Sequence, residues 1–510
     1  MSFSPPRFPF RPKPQTPDES VEPEYSGGGR TRENFKESVF NPTTRISLKR
    51  VVAAWGFGAA FMSITSGAVY TAFARELGAN DFVFGVLAAA LPLMSFLQVF
   101  AAKLVEHSGK RKRQMLIAGL LGRGLWAVVA LLPLIARAHP GWLDKRELLN
   151  FVVGGVLLAG AIQAFTTPAF FSWMTDLVPS RVRSSFFARR MQFGTIAALL
   201  TTVATGILAD QFADMRVYCV LIAFAGISGM LDIAIFIGVR EPPTGNEKIA
   251  AEIAPEIESK TKRQSPPMWE MMKLPLRDLA VRRLLLFLSV LTFSYGFQGP
   301  FLWLHAKEYL HLSKTLTGLL LAGLPLVAIA LTMPFWGGVL QRYGNRPVMR
   351  FASMGMAFTA VGWLVARPSA WDVLPILIFI SGSLSGALEL ANQNLMMKLA
   401  PHVPRSSMAA LTSIAAGTSF AAAAWLAGAL AQSMVWINTS GLDWFGMPIV
   451  NYHILFLITL GIRLVNATFI APLLLEPQSS GTVDAVKEVF PEIAEAFAAR
   501  FTRPLGGRED

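Results

Sequence analysis

Long apolar runs recur along this 510-residue chain, and they constrain its fold more than any other feature. A segment that crosses the hydrocarbon core of a bilayer needs about 20 mostly apolar residues, and only helices or closed barrels satisfy the backbone there. The runs are continuous and of helix length, which favours helices. About twelve transmembrane helices are therefore predicted, numbered helices 1 to 12 in chain order, over residues 51–74, 82–104, 115–136, 150–175, 190–212, 217–239, 284–304, 315–340, 350–367, 371–397, 408–435 and 452–475.

The composition is that of a protein embedded in lipid. Hydrophobic residues make up 53% of the chain and charged residues 15%, whereas soluble domains average about 45–50% and about 25%. So much apolar surface needs lipid to cover it. The single cysteine, Cys219, lies inside an apolar run, which excludes a disulfide framework and a cysteine-rich metal site. We predict neither a metal site nor a cofactor.

The net charge of +13 reflects membrane topology rather than nucleic-acid binding. Lysine and arginine are enriched in the short cytoplasmic loops of membrane proteins. Basic clusters follow helices 2, 4, 8 and 10, as in Lys110 to Arg113 after helix 2, while the loops on the other side hold far fewer. We therefore predict a multi-pass protein of the cell inner membrane, with both termini in the cytoplasm and no nucleic-acid partner.

The polar segments divide the chain into bundles and tails. Residues 1–46 are rich in proline, glycine and charge and lack an apolar core stretch, which predicts a disordered cytoplasmic tail rather than a signal peptide. Residues 241–281 form the long internal polar loop and predict a cytoplasmic linker. The remaining domains are an N-terminal six-helix bundle over 47–240, a C-terminal six-helix bundle over 282–476 and a cytoplasmic C-terminal tail over 477–510.

The two predicted bundles carry an internal duplication. Residues 85–93 read GVLAAALPL and residues 318–326 read GLLLAGLPL, and each segment opens an apolar run that ends in a basic loop. Further pairs lie 235 positions apart, namely Gly109 with Gly344, Arg111 with Arg346, Gly226 with Gly461, and Glu241 with Glu476. An even number of helices in each repeat keeps both halves in one orientation, which is the parallel type of repeat.

The basic loops after helices 2 and 8 contain a related motif. Residues 102–112 read AKLVEHSGKRK, and residues 337–347 read GGVLQRYGNRP. Both resemble the G-x-x-x-D-R-x-G-R-R loop of the major facilitator superfamily, which that family repeats in both halves, although Glu106 and Gln341 replace the aspartate. The resemblance covers roughly residues 46 to 477. It implies an all-α integral membrane protein with two parallel-repeat six-helix bundles.

These motif loops are predicted to form a conformational latch. A glycine permits a tight turn between helices, and an acid can accept hydrogen bonds from the N-terminus of a neighbouring helix. The alternative is that the arginines only anchor the loops on the cytoplasmic side. The residues assigned to the latch are Glu106, Gly109, Arg111, Gln341, Arg342, Gly344 and Arg346.

Two ionisable residues inside the first bundle lie at the same predicted depth. Arg123 in helix 3 is eight residues from Met115, and Asp232 in helix 6 is eight residues from Arg240. At 1.5 Å per residue both lie about 12 Å deep, so an ion pair is predicted. The resemblance implies that helices 3 and 6 are peripheral, and a structural ion pair and a role in transport both stay open.

Glu389 in helix 10 is the predicted coupling residue. The resemblance implies that helix 10 lines a central cavity together with helices 1, 4 and 7. A carboxyl group in a low-dielectric cavity can bind a proton near neutral pH and release it when the cavity opens to water. Arg463 in helix 12 is predicted either to pair with Glu389 or to bind an anionic solute, and a fixed ion pair is the structural alternative for both.

Neutral polar side chains in three helices are further candidates for a solute site. Their hydrogen-bonding groups can orient a solute, whereas bonding between helices is the structural alternative. They are Gln163 in helix 4, Tyr295 and Gln298 in helix 7, and Asn392 and Asn394 in helix 10.

The predicted function is secondary active transport of a small solute by alternating access, with Glu389 as the candidate for coupling to a proton or cation. The chain has no H-E-x-x-H pair, nucleophile elbow or phosphate-binding glycine loop, so an enzyme is not predicted. We expect a monomer in the lipid bilayer. The alternative is a non-transporting receptor or scaffold, or a lipid-handling protein, on the same fold.

Overall fold

A computed structural model describes residues 42–178, 180–242, 275–399, 405–444 and 447–476. Eleven helices in this part are long and apolar enough to cross a membrane, and a bent pair of helices makes a twelfth span. The described residues also contain a two-residue antiparallel ladder, Asp443–Trp444 with Met447–Pro448, before the last span. The chain is therefore an all-α, multi-pass membrane protein, as its apolar runs predict.

The spans are numbered α1 to α12 and correspond one to one with predicted helices 1 to 12. The first half consists of α1 (Pro42–Thr65 with Ala68–Glu76), α2 (Asp81–Val105), α3 (Arg111–Ala138), α4 (Lys145–Leu177), α5 (Arg189–Gln211) and α6 (Met215–Gly238). The second half consists of α7 (Leu279–Glu308), α8 (Lys314–Tyr343), α9 (Asn345–Val365), α10 (Val373–Met396), α11 (Leu411–Ser433) and α12 (Asn451–Leu473). Most of the predicted linker and the whole predicted C-terminal tail lie outside the described residues.

The first span differs from its prediction at its start and in its middle. It begins at Pro42, so the end of the predicted disordered tail is helical, while residues 1–41 lie outside the described part. Its two helices are separated at Ser66 and Gly67 and are bent by 41°. The Ser66 hydroxyl donates to the Met62 carbonyl at 2.6 Å. Serine and glycine next to each other commonly bend a helix in this way.

The helices of the two halves pack in the same order. In the first half α1 packs against α5 and α6, α3 packs against α4 and α6, and α2 packs against α4. In the second half α7 packs against α11 and α12, α9 packs against α10 and α12, and α8 packs against α10. Each pair of the second half lies six spans after its counterpart, so the sequence duplication is a duplication of one bundle.

The halves meet along two helix pairs, α2 with α11 and α5 with α8. A side-chain carbon placed on Gly85 of α2 would lie 2.5 Å from the Ala424 carbonyl oxygen and 3.0 Å from the Cα of Gly428, both on α11. A side-chain carbon on Gly206 of α5 would lie 2.7 Å from the Cα of Thr315 on α8. Glycine at these points allows the backbones of the two halves to approach closely.

These contacts between the halves lie toward one side of the molecule. We call the side on which α1 begins and α12 ends the basic side, and the other side the opposite side. Because successive spans alternate in direction, Gly85 near the start of α2 and Thr315 near the start of α8 both lie close to the opposite side. The halves are therefore joined mainly toward the opposite side.

Candidate functional site

A polar network joins the two halves on the opposite side. Nε of Arg75, at the end of α1, donates a hydrogen bond of 2.8 Å to Oε1 of Glu308 at the end of α7, and the same guanidinium forms an ion pair with Asp81 on α2. The Tyr452 hydroxyl on α12 lies 2.7 Å from Oε2 of Glu308 and 3.1 Å from Oδ1 of Asp81. Nδ2 of Asn451 donates to Oδ2 of Asp81 at 2.8 Å. Asp81, Asn451 and Tyr452 are buried, so the bonds to Asp81 are shielded from water, whereas Glu308 is exposed.

A second contact between the halves caps the start of α8. The carboxylate of Asp210, at the end of α5, accepts hydrogen bonds from the backbone N–H groups of Lys314 at 2.8 Å and Thr315 at 2.9 Å. An acid at a helix N-terminus satisfies free N–H groups and complements the helix dipole. Neither this contact nor the Arg75 network is predicted from the sequence. The available signal is the presence of charged residues at helix ends, which does not reveal their partners.

On the basic side, Arg111 is bound within the first half. Its guanidinium forms an ion pair with Asp176 at the end of α4 and donates to the Pro242 carbonyl oxygen at 2.7 Å. The Glu241 carboxylate accepts a hydrogen bond of 3.2 Å from the backbone N–H of Lys112, at the start of α3. The Arg111 side chain is only 1% exposed, so it ties three helix ends together instead of lying free in a loop.

The second half repeats this arrangement around Glu476. The carboxylate, just beyond α12, accepts hydrogen bonds from the backbone N–H groups of Asn345 at 2.7 Å and Arg346 at 2.8 Å, and from Nζ of Lys398 at 2.9 Å. The Arg346 guanidinium donates to the Pro472 carbonyl oxygen at 2.9 Å. Burial alone raises the pKa of Glu476, but the hydrogen bonds from Lys398 and from the start of α9 outweigh it, and the pKa is lowered.

The acid that caps the third helix of each half is therefore not the motif residue that the sequence suggests. Gln341 is exposed and makes no hydrogen bond with the described residues, and the Glu106 side chain lies outside them. Glu241 and Glu476 cap α3 and α9 instead, because the end of the sixth helix lies beside the start of the third. The duplication pairs these two acids, but it does not reveal their role.

The two predicted glycine turns of the motif loops are present in the structure. Gly109 and Gly344 have φ angles of 64° and 89°, a left-handed region that favours glycine, so both tight turns are confirmed. Arg342 is exposed, and its guanidinium lies 5.3 Å from the ring of Tyr343. The loops thus combine a glycine turn with arginines that hold helix ends.

Arg123 and Asp232 form a buried ion pair between α3 and α6. The Arg123 guanidinium also donates to the Gly229 carbonyl oxygen at 3.0 Å and lies 5.2 Å from the ring of Phe61 on α1. The two side chains are 12% and 5% exposed. The equal predicted depth of Arg123 and Asp232 correctly indicates this contact. The contact joins α3 to α6 beside Phe61 of α1.

A third charge beside this pair is not predicted from the sequence. Arg190 reads as a loop anchor before helix 5, but its guanidinium lies 3.9 Å from the ring of Trp55 on α1 and 5.0 Å from the ring of Phe170 on α4. Its Nε is buried and has no hydrogen-bond partner among the described residues. The available signal is weak, because Arg190 stands at the uncertain end of an apolar run.

Arg463 and Glu389 do not pair in the described structure, so the first of the two alternatives predicted for Arg463 is wrong. Nε of Arg463 donates to Oγ of Ser294 on α7 at 3.3 Å, and Nη1 donates to the Met356 carbonyl oxygen on α9 at 3.0 Å. Glu389 is exposed on α10, and its Oε1 accepts a hydrogen bond of 2.8 Å from Nε2 of Gln393. The two residues differ in rotation about their helix axes: Arg463 points toward α7 and α9, and Glu389 lies on an exposed face.

Gln163, one of the neutral polar candidates, makes a hydrogen bond between helices, which is the structural alternative given for it. Its Nε2 donates to the Gly122 carbonyl oxygen at 3.4 Å, across the contact between α4 and α3. Gly122 leaves room for this side chain, since a carbon placed there would lie 2.6 Å from Cγ of Gln163. The contact therefore serves helix packing.

The remaining candidates on α7 and α10 are less completely bonded. Nε2 of Gln298 and Oδ1 of Asn392 are buried and have no hydrogen-bond partner among the described residues. Tyr295 lies one turn from Gln298, and its ring is 5.5 Å from the Arg463 guanidinium. Asn394 is half-buried. The structure thus brings together two of the predicted residues, Tyr295 and Arg463, and leaves polar atoms of two others unpaired.

Transporters of known structure share this fold. The nucleoside transporter NupG matches with a TM-score of 0.61 at 9% identity, over 84% of this chain and 100% of that chain. The inward open xylose transporter XylE from E. coli matches with a TM-score of 0.60 at 15% identity, over 87% of this chain and 99% of that chain. A bacterial homolog of the human lysosomal transporter Spinster, inward-facing and unoccupied, matches with a TM-score of 0.60 at 11% identity, over 85% and 97%. No curated protein sequence matches this chain significantly.

The sequence of each half is recognised by one family description. The Major Facilitator Superfamily model matches residues 52–305 and, a second time, residues 284–505. The two matches follow the duplication, and together they include all the described spans except the start of α1. The chain therefore belongs to the Major Facilitator Superfamily of membrane transporters.

Proposed function

We propose that this chain is a secondary active transporter that moves a small solute across the inner membrane by alternating access. One observation carries the proposal. On the opposite side, ion pairs cross between the halves, from Arg75 to Glu308 and from Lys314 to Asp210. On the basic side, the ion pairs of the described residues all join helices of one half. Two repeats held together at one end only are one of the two states that alternating access needs.

The charge distribution supports an orientation with the basic side in the cytoplasm. Both tails, 1–46 and 477–510, then lie in the cytoplasm, and the linker 241–281 joins the bundles 47–240 and 282–476 on that side. In this orientation the chain is closed to the outside, like the inward-facing Spinster homolog and the inward open XylE. We propose that the monomer is the transporting unit.

In the second half, the proposed solute site includes polar groups of α7 and α10. The unpaired polar atoms of Gln298 and Asn392 can bind the hydroxyl or amide groups of a small polar solute. The nucleoside and xylose transporters of similar fold act on solutes of that kind. Glu389 on α10 accepts a hydrogen bond from Gln393 and has no cationic partner among the described residues, which supports its role as the residue that binds a coupling proton or cation.

A lipid-handling protein is the second candidate, and one observation favours it. An apolar groove of about 720 Å³ lies between α5 and α8, with Leu200, Val203 and Leu320 in its lining. A groove of this chemistry suits an acyl chain better than a polar solute. A non-transporting receptor or scaffold on this fold is the other alternative.

The proposal is tested by binding and then by transport. Detergent-purified protein is screened by thermal shift against sugars, amino acids, carboxylates, nucleosides and hydrophobic cations, because a ligand that binds the native state raises the melting temperature. Each hit is then assayed for counterflow exchange in proteoliposomes. Saturable exchange supports the transporter. Stabilisation by lipids alone, or hits that bind without exchange, would contradict it and favour the alternatives.

A further inference from the structure

Arg190 lies inside the first half, between three helices. Its guanidinium is 3.9 Å from the ring of Trp55 on α1 and 5.0 Å from the ring of Phe170 on α4. Phe170 in turn contacts the ring of Phe236 on α6, with 6.0 Å between the ring centres. The guanidinium therefore faces the interior of the bundle rather than the surrounding lipid.

The two rings contact Arg190 but leave its hydrogen-bonding groups unused. The described residues give its guanidinium no hydrogen bond or ion pair, and its Nε is buried without a partner. Arg123 and Arg463, which lie deeper in their spans, differ from Arg190, since each donates to two oxygen atoms. A buried N–H group without an acceptor is unfavourable. A hydrogen-bond acceptor that the described residues do not supply would therefore be favourable beside Arg190.

The charges around Arg190 do not balance. Asp232 is the one acid among the described residues whose charge acts on Arg190, and it already forms an ion pair with Arg123. Among the described residues, one acid and two arginines leave a net charge of about +1 around Arg190, and an uncompensated charge that is partly shielded from water is costly. An anion at the edge of the Arg190 guanidinium would neutralise this charge.

The Arg190 site lies toward the basic side. Arg190 stands at the basic-side end of α5, and its side chain is partly exposed. α1 and α4 do not pack closely against each other, so the space between them holds the guanidinium and its two aromatic neighbours. No ion pair of the described residues joins the halves on this side, so no such bond has to break for a solute to approach Arg190 from between the halves.

We propose that Arg190 is the anion-binding residue of the solute site and that the solute carries a carboxylate or phosphate group. The planar guanidinium offers parallel N–H donors that match two oxygen atoms of either group. Trp55 and Phe170 are positioning residues, which hold the guanidinium by its faces. The inference rests on the proposed transport function, whose solute class it names. A lipid headgroup phosphate has the same chemistry, and the experiment separates the two sources.

Benzoate and benzamide form the first pair of probes, because they share a ring and differ in charge. At constant ionic strength, we expect benzoate to raise the melting temperature of the detergent-purified full chain and benzamide to have no effect. Arg190→Gln should weaken benzoate binding at least about tenfold, whereas Arg189→Gln, at the exposed neighbouring position, should bind as the wild type does. Equal responses to the two probes, or unchanged binding in Arg190→Gln, would overturn the proposal.

Two further variants keep the test decisive if Arg190→Gln does not fold. Arg190→Lys keeps the charge but loses the planar pair of donors, so we expect weaker benzoate binding. Trp55→Phe keeps a ring against the guanidinium and should weaken binding less. A lysine variant that binds benzoate as tightly as the wild type would overturn the assignment of paired donors to the solute.

Measurements in nanodiscs distinguish a soluble anion from a lipid headgroup as the group that binds Arg190. Binding of benzoate that depends on Arg190 in pure phosphatidylcholine supports a soluble anion. Stabilisation that depends on Arg190 and occurs only with phosphatidylglycerol assigns the site to a lipid headgroup and overturns the solute class.

Transport assays separate this inference from the proposed function. If proteoliposomes exchange an uncharged solute equally well with the wild type and Arg190→Gln, and no anion is exchanged, the transporter stands and the anion inference fails. If anions bind through Arg190 but no solute of any class is exchanged, the proposed transport function fails instead, and the solute class falls with it.

Discussion

Nε of Arg75 on α1 donates a hydrogen bond of 2.8 Å to Oε1 of Glu308 on α7, across the boundary between the two halves. The same guanidinium also contacts Asp81 and the hydroxyl of Tyr452. Separation of the halves on the opposite side must therefore break several charge-assisted bonds together. This network contributes directly to the free-energy difference between the closed state and a state that is open on the opposite side.

Glu308→Gln should shift the population toward the state that is open on the opposite side. A hydrogen bond to a charged group is worth about 1.5 kcal/mol at the lower end, which applies to the partly exposed Glu308, and this corresponds to about a tenfold shift. The measurement is the distance between spin labels at Glu76→Cys and Thr439→Cys, two exposed positions in different halves, in a Cys219→Ser background. Asp443→Asn, which removes another exposed acid, should leave the distances unchanged. If Glu308→Gln gives the wild-type distribution of spin-label distances, the network around Arg75 and Glu308 does not control opening on the opposite side.

Asp232→Asn should destabilise the fold more than any change in a surface ion pair. It leaves the Arg123 guanidinium buried without its acid and removes the one acid among the described residues whose charge acts on Arg190, so we expect a loss of about 3 kcal/mol in the free energy of unfolding. The double variant Arg123→Met with Asp232→Leu should recover much of this loss. Thermal unfolding in detergent measures both effects, and a stable Asp232→Asn protein would contradict them.

The same double variant decides the role of the pair that the sequence leaves open. A stable double variant that still exchanges solute in proteoliposomes would make the ion pair structural. A stable double variant without exchange would assign the pair a role in transport.

Acid should destabilise the protein through Glu476. The pKa of Glu476 is lowered below its ordinary value of 4.5 in the folded protein, so its ionised form stabilises the fold. This contribution is fully present above the ordinary pKa and is lost as the pH falls through the lower folded value. Melting temperatures measured from about pH 7 to about pH 3 should show a flatter acid slope for Glu476→Gln than for the wild type.

The Glu476→Gln variant should also be less stable than the wild type near neutral pH, by about 1–3 kcal/mol, since buried donors lose a charged acceptor. Glu241→Gln is the matched control in the first half. The Glu241 carboxylate accepts a single backbone hydrogen bond, from Lys112, whereas that of Glu476 accepts two from the start of α9, so Glu241→Gln should cost less. An unchanged acid slope in Glu476→Gln would show that other carboxylates carry the effect.

Glu389→Gln should uncouple transport from its driving ion. An amide cannot take up and release a proton, so uptake driven by an imposed pH gradient should be lost while solute exchange between the two sides persists. Proteoliposomes with and without the gradient measure both activities. Gln393→Ala removes the hydrogen bond to Glu389 but keeps the acid, and it should remain coupled. Driven uptake at the wild-type rate in Glu389→Gln would refute the coupling assignment.

Depth in the membrane was predictable for this chain because the lipid allows few alternatives. The last helix is predicted over 452–475 and is found at Asn451–Leu473, since the length of an apolar run must match the hydrocarbon core. The contact between Arg123 and Asp232 follows from the same reasoning, because both lie at one height on helices of one half.

Rotation about a helix axis was not predictable from the sequence. A transmembrane helix can be apolar on all its faces, so the hydrophobic pattern does not show which face meets which neighbour. Glu389 and Arg463 could therefore be placed on their helices but not oriented, and the predicted pair between them failed. The interior position of Arg190 and the contact of Arg75 with Glu308 also depend on helix rotation, which the sequence does not show. The second contact depends in addition on how the halves meet.

The close approach of Gly85 and Gly428 has a mechanical consequence. With no side chain between them, the backbones of α2 and α11 approach closely at this point, and the proposed alternating access would make this crossing the pivot about which the halves rotate. Glu241 and Glu476 hold helix ends together within each half on the basic side. Each half can therefore rotate as a rigid body. Under this proposal, a small rotation at the glycines produces a large displacement at the far ends of the helices, and a bulky residue at position 85 is expected to hold the protein in one state.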